Sequence, residues 1–174
     1  GKRGWGYDGV DMYAPESAYG SPEQFKHFVK KAHEQGINVI LDVVPNHFGF
    51  EGNYLGMFGP YEEKGAKSLY GDKLNFNDPK DGWFIQRYMT DMLFNWAANY
   101  HVDGFRLDAV SHMHSDSALK YMAAKLKGTP ETQDLVLIAE NSDFDQRMVA
   151  PLTRSEVAHP ERNLFADSVP NVGM

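Results

Sequence analysis

The chain has 174 residues, 42% hydrophobic and 24% charged, the make-up of an ordinary globular domain. Its net charge of −7 argues against nucleic acid and against an anionic membrane as partners. It has no cysteine, which excludes a disulfide framework, a thiolate metal site and a cysteine nucleophile, and no run approaches the roughly 18 apolar residues of a membrane span.

Strand and helix patterns alternate along the chain, which predicts β/α units around a parallel sheet. A first strand is expected over Trp5–Met12, followed by a loop holding Pro15 and Gly20. Ser21-Pro22-Glu23-Gln24 reads as a helix start, with Ser as N-cap, Pro at the first helical position and Gln closing a capping box. Phe25, Phe28, Val29 and Ala32 recur at helical spacing, and Gly36 supplies the stop. Ile37–Val44 is a continuous apolar strand broken by Asn38 and Asp42, as a sheet covered on both faces requires.

Phe48–Asp81 is rich in Gly, Asn, Tyr and Lys and shows no period. Its length points to a functional loop or a small inserted subdomain over residues 48–81. Helical spacing returns with Ile85, Tyr88, Met89, Met92, Leu93 and Trp96. A strand over Val102–Val110, a helix over Ala118–Lys127 and a strand over Leu135–Ala139 follow, with a further strand expected over Leu164–Val169. That makes about five strands, fewer than a closed eight-stranded barrel of ~250 residues needs. The chain begins without a Met or a signal-peptide core, so the expectation is an internal piece of a longer cytoplasmic protein, truncated at both ends.

Three of the apolar runs end in polar side chains: VILDVVPNH at Val39–His47, GFRLDAV at Gly104–Val110 and VLIAEN at Val136–Asn141. Burying a carboxylate costs free energy, so Asp108 and Glu140 at strand ends call for an explanation. In a barrel of parallel strands that explanation is catalysis at the carboxyl-terminal rim. Arg106 stands two residues before Asp108, on the same strand face, where its charge would hold a carboxylate ionised and lower its pKa. His33, His101 and His114 have no metal-ligand spacing, and Gly49, Gly52, Gly56 and Gly59 lack the GK[ST] ending of a phosphate loop.

DVVPNH at Asp42–His47, GFRLDAV at Gly104–Val110 and AEN at Ala139–Asn141 resemble, in order and strand context, the first three sequence regions of the α-amylase superfamily, glycoside hydrolase family 13. LNFND at Leu74–Asp78 is similar to that superfamily's extra region. The resemblance implies an α/β fold, part of a (β/α)8 TIM barrel with a short irregular insertion after the first-region strand, residues 1–174 being part of one catalytic domain. It implies that Asp108 is the nucleophile and Glu140 the acid/base of a retaining mechanism, with carboxyl groups about 5–5.5 Å apart. It further implies that Arg106 positions the nucleophile and that His47 hydrogen-bonds the sugar at the cleavage point. Tyr13 is implied to stack on that sugar, His112 to contact the leaving-group side, and Asp42 to support the site. Asn46 matches a residue that binds calcium in many amylases and is also retained where no metal binds. One Asn is not a metal site, so no cofactor is expected.

WGYDGV at Trp5–Val10, GNYL at Gly52–Leu55, FGPY at Phe58–Tyr61, HVDGFRLDAV at His101–Val110 and IAENSDFDQR at Ile138–Arg147 look like the malto-oligosyltrehalose trehalohydrolase subfamily. That resemblance implies cleavage of an α-1,4 bond with release of trehalose from an α-glucan or malto-oligosaccharide substrate. Branching enzymes share the WGY opening and the YAP element at Tyr13–Pro15, which leaves glycosyl transfer as the alternative, beside a carbohydrate-binding homologue without activity. Two departures stand out. The fourth superfamily region, with a third catalytic Asp, has no counterpart in the chain, and Asp167–Met174 stands where the subfamily carries an acidic, His-rich segment. The chain by itself is therefore expected to be inactive.

Overall fold

The structure, a computed structural model, describes residues 4–141. The strand expected over Leu164–Val169 and the end of the motif beyond Asn141 lie outside the described residues. Three helices, α1 (Pro22–Glu34), α2 (Gly82–Tyr100) and α3 (Asp116–Lys127), accompany five strands. These are β1 (Ile40–Val43), β2 (Glu62–Lys67), β3 (Asp72–Leu74), β4 (Gly104–Leu107) and β5 (Val136–Ala139).

The three motif-bearing strands form one parallel sheet in the order β1-β4-β5. Ile40 pairs with Gly104 and Gly104 with Val136, so all three strands are in step and end at the same level. Backbone bonds carry the ladder one residue further, from Asp108 N–H to the Val43 oxygen (2.8 Å) and from Glu140 N–H to the Leu107 oxygen (3.0 Å). Asp108 and Glu140 are thereby fixed at the strand tips rather than left on mobile loops.

Helix α1 starts as its sequence dictates. Ser21 Oγ accepts from Gln24 N–H, the Ser21 N–H donates to Gln24 Oε1 at 2.8 Å, and Pro22 opens the first turn. Its apolar face sets Phe25 edge-on against Trp96 and Tyr100 of α2, while Phe28 is left exposed. Helix α2 buries Ile85, Met89, Met92, Leu93 and Trp96, and α3 buries Leu119, Met122 and Leu126. With Phe105, Leu107 and Leu137 of the sheet these side chains make one core, each fully buried one contributing roughly 1.5–3 kcal/mol.

One expectation is corrected. Residues 4–12 fold as turns and bends, not as a strand, because Gly6 adopts φ 89°, which breaks an extended run. Gly9 O accepts from the Gly49 N–H, and Trp96 Nε1 donates to Met12 O, so the segment is held across the strand ends and helix α2. The aperiodic stretch after β1 contains an antiparallel hairpin, β2–β3, in which Glu62 faces Leu74 and Lys67 faces Asp72 with a register shift between. A strand of Glu, Lys, Gly and Ala with a register shift carries no alternating pattern to read. The insertion still sends Phe48, Leu74 and Phe76 into the core.

Candidate active site

At the carboxyl ends of β1, β4 and β5 lies a cleft of about 460 Å³ lined by Tyr7, Asp8, His47, Tyr70, Asp108, Ala109, Ser111, His112 and Glu140. Its floor is organised by Arg106. Register places Arg106 beside Asp42, and both Asp42 oxygens accept from Arg106 Nη1, at 2.8 and 2.7 Å. The same Nη1 donates to Asp108 Oδ1 at 3.0 Å, and Nη2 lies 3.0 Å from Glu140 Oε2. One guanidinium thus holds three carboxylates, an arrangement suited to its planar fork of donors. Tyr7 adds a hydroxyl that donates to Asp42 Oδ2 at 3.1 Å.

The electrostatics follow from this crowding. Burial would lower the Arg106 pKa, but hydrogen bonds and charge from Asp42, Asp108 and Glu140 outweigh it and raise it above the ordinary arginine value. The guanidinium is a permanent cation here. Asp108 departs from expectation: its pKa is raised, because burial and the neighbouring Glu140 charge together outweigh the lowering by Arg106. Arg106 acts in the expected direction, yet desolvation and a second carboxyl win. Burial first, then the bond to Asp42, also raises Tyr7.

Glu140 is oriented from two sides. Its Oε2 accepts from the Ala109 N–H at 2.9 Å as well as facing Arg106. Ala109 presents its N–H by adopting φ 46°, a left-handed backbone uncommon for a residue with a Cβ.

The structure brings Asp108, Glu140, Arg106, His47, His112, Asp42 and Asn46 together. His112, on a short 3-10 turn (Val110–Met113), meets the Tyr70 ring edge-on at 5.0 Å, and Tyr70 lies parallel to His47 at 5.6 Å. Tyr13 does not reach the cleft. Its hydroxyl donates to the Tyr88 carbonyl at 2.8 Å and its ring packs edge-on against Tyr88, so helix α2 occupies both its polar and apolar ends. Burial raises the pKa of Tyr13, and raises that of Tyr88 to about 12.

Tyr7, Asp8 and Tyr70 line the cleft without having been singled out. Tyr7 and Asp8 sit in the WGYDGV motif, whose likeness to known enzymes was the available signal. Tyr70, at the tip of the β2–β3 hairpin, had none. Asn46 does not fit a calcium site: its Oδ1 faces His47 Nδ1 at 2.6 Å and its amide nitrogen donates to the Asp108 carbonyl. Among the described residues no three His, Cys, Asp or Glu side chains are grouped to hold a metal, and no helix is long and apolar enough to cross a membrane.

Parallel strands delivering polar side chains to one cleft at their carboxyl ends define an α/β enzyme-type site. Residues 2–70 match the family model of the alpha amylase catalytic domain, and curated relatives of that kind align with most of the chain. It is 40% identical over 151 residues to malto-oligosyltrehalose trehalohydrolase from Saccharolobus solfataricus, covering 87% of this chain and 27% of that protein. It is 33% identical over 154 residues to a 1,4-alpha-glucan branching enzyme from Fusobacterium nucleatum, covering 79% of this chain and 24% of that protein. The crystal structure of an alpha-amylase from Anoxybacillus superposes with a TM-score of 0.69 at 26% identity, covering 89% of this chain and 35% of the other. The chain therefore spans about a quarter of the length of the curated relatives it matches.

Proposed function

We propose that the protein to which this chain belongs is a retaining glycoside hydrolase that acts on α-1,4-glucosidic bonds and releases trehalose from malto-oligosyltrehalose. The observation that carries the reading is a single one: Arg106 holds Asp108 and Glu140 side by side on adjacent strand ends facing an open cleft. Residues 1–174 are then part of a (β/α)8 barrel, with 48–81 inserted after its first-region strand.

In this reading an Asp108 oxygen attacks the anomeric carbon while the glycosidic C–O bond breaks. The departing oxygen keeps the bonding pair and takes the proton of Glu140. The glycosyl ester on Asp108 is opened by water, whose proton returns to Glu140, and two inversions give net retention. Arg106 keeps a fixed positive charge beside Asp108 through both steps. His47 and His112 line the sugar-binding surface, and Asp42 holds Arg106 in place. Tyr13 is given no contact with substrate, and Tyr7 occupies the rim instead.

Likeness to a branching enzyme supports a second reading, in which a sugar hydroxyl replaces water as acceptor. The two are separated by incubating the full-length protein with maltotriosyltrehalose and with a linear α-glucan, following the products by proton NMR. Trehalose release that is lost in Glu140→Gln is the expected result, and no product is expected from the isolated 174-residue chain. New α-1,6 linkages without trehalose would replace the proposal with glycosyl transfer. Silence on both substrates would leave a binding homologue.

A further inference from the structure

His47 is 4% exposed, and its Nε2 is buried without a hydrogen-bond partner. The nearest charged group, Asp8 Oδ1, stands 3.7 Å away, beyond hydrogen-bonding distance. A buried ring nitrogen on a cleft wall with nothing to bond is costly unless a ligand completes it. Which kind of ligand atom it accepts depends on the tautomer, and the neighbouring groups fix that.

The Asp108 carbonyl can only accept. Asn46 lies 2.9 Å from it, so the Asn46 amide must turn its NH2 toward that oxygen. Its Oδ1 then faces His47 Nδ1 at 2.6 Å, and an amide oxygen can only accept. Nδ1 therefore carries the proton. In the neutral ring Nε2 is left as a lone pair directed into the cleft.

We infer that Asn46 is a positioning residue that relays the backbone of the nucleophile strand into the tautomer of His47, so that His47 Nε2 selects a hydroxyl that donates to it. The inference deepens the glycoside-hydrolase reading and rests on it for the nature of the ligand: a sugar hydroxyl has the proton that Nε2 lacks, whereas an ether or fluorine does not. Asn46 is buried and does not line the cleft. Its effect passes through His47, and the bond to Asp108 O ties the same amide to the main chain of the residue proposed to attack the sugar.

The test is 15N NMR of the full-length protein labelled with [15N]histidine at about pH 8, where an ordinary imidazole is neutral, with His47→Gln identifying the signal. Wild type is expected to show a protonated Nδ1 and an unprotonated Nε2. Asn46→Leu loses that pattern and lowers kcat/KM on maltotriosyltrehalose at least about tenfold. A protonated Nε2 in wild type overturns the inference, as does an unchanged tautomer in Asn46→Leu. The NMR readout needs no turnover, so a protein with the expected tautomer that cleaves neither glucan would sink the hydrolase reading and leave the relay standing.

Discussion

Arg106 donates to Asp42 and Asp108 and pairs with Glu140, so the three carboxylates around it are tolerable together only while it is present. Replacing it by Gln removes the influence that lowers the Asp108 pKa and leaves burial and Glu140, which raise it. In the proposed mechanism Asp108 attacks as a carboxylate, so its pKa would set the acid limb of kcat/KM. In Arg106→Gln that limb should move to higher pH, with the plateau at least about a hundredfold lower. A pH–rate profile of the full-length variant checks this, and a limb that stays put would detach Arg106 from Asp108. The placement of Asp108, Glu140 and Arg106 at neighbouring strand ends was legible in the sequence because a polar residue ending an apolar strand is costly and needs a reason. Tyr13 was misplaced because an aromatic beside a motif has no sequence mark telling a sugar platform from a ring packed on a helix.

At the scale of elements, β4 sits between β1 and β5 and begins at Gly104. A Cβ there would come within 2.3 Å of the Val136 carbonyl oxygen, a backbone atom that β5 cannot yield without disturbing its ladder, and 2.8 Å of Ile40 Cδ1, a side-chain end that can turn aside. Gly104→Ala should therefore destabilise the full-length protein by at least about 2 kcal/mol and lower its melting temperature. An unchanged thermal transition would mean that β4 does not lie against β5 as described. The motif strands and the α1 capping box could be read directly, since apolar runs and Ser-Pro-x-Gln are local signals. The β2–β3 hairpin could not, because its strands are polar and its register shifts, and the turns at residues 4–12 were hidden behind an apolar composition that resembles a strand. Tyr70 went unread with the hairpin: it reaches His47 and His112 from the hairpin's tip.

Over the whole molecule, the described residues supply three parallel strands and the helices that cover them, about a quarter of the length of curated relatives. Ile37, Ile40 and Val136 stay exposed on the outer strands or beside them, the condition of a sheet with open edges, which is why activity is proposed for the longer protein and not for this chain. The central claim is that Asp108 forms a covalent glycosyl ester and Glu140 serves the steps on either side. It is tested most directly by treating full-length Glu140→Gln with 5-fluoro-α-maltosyl fluoride, whose leaving group needs no acid, and mapping the adduct by peptide mass spectrometry. The account predicts one added glycosyl unit, carried by the peptide that contains Asp108. No adduct, or an adduct on another carboxylate, would contradict it.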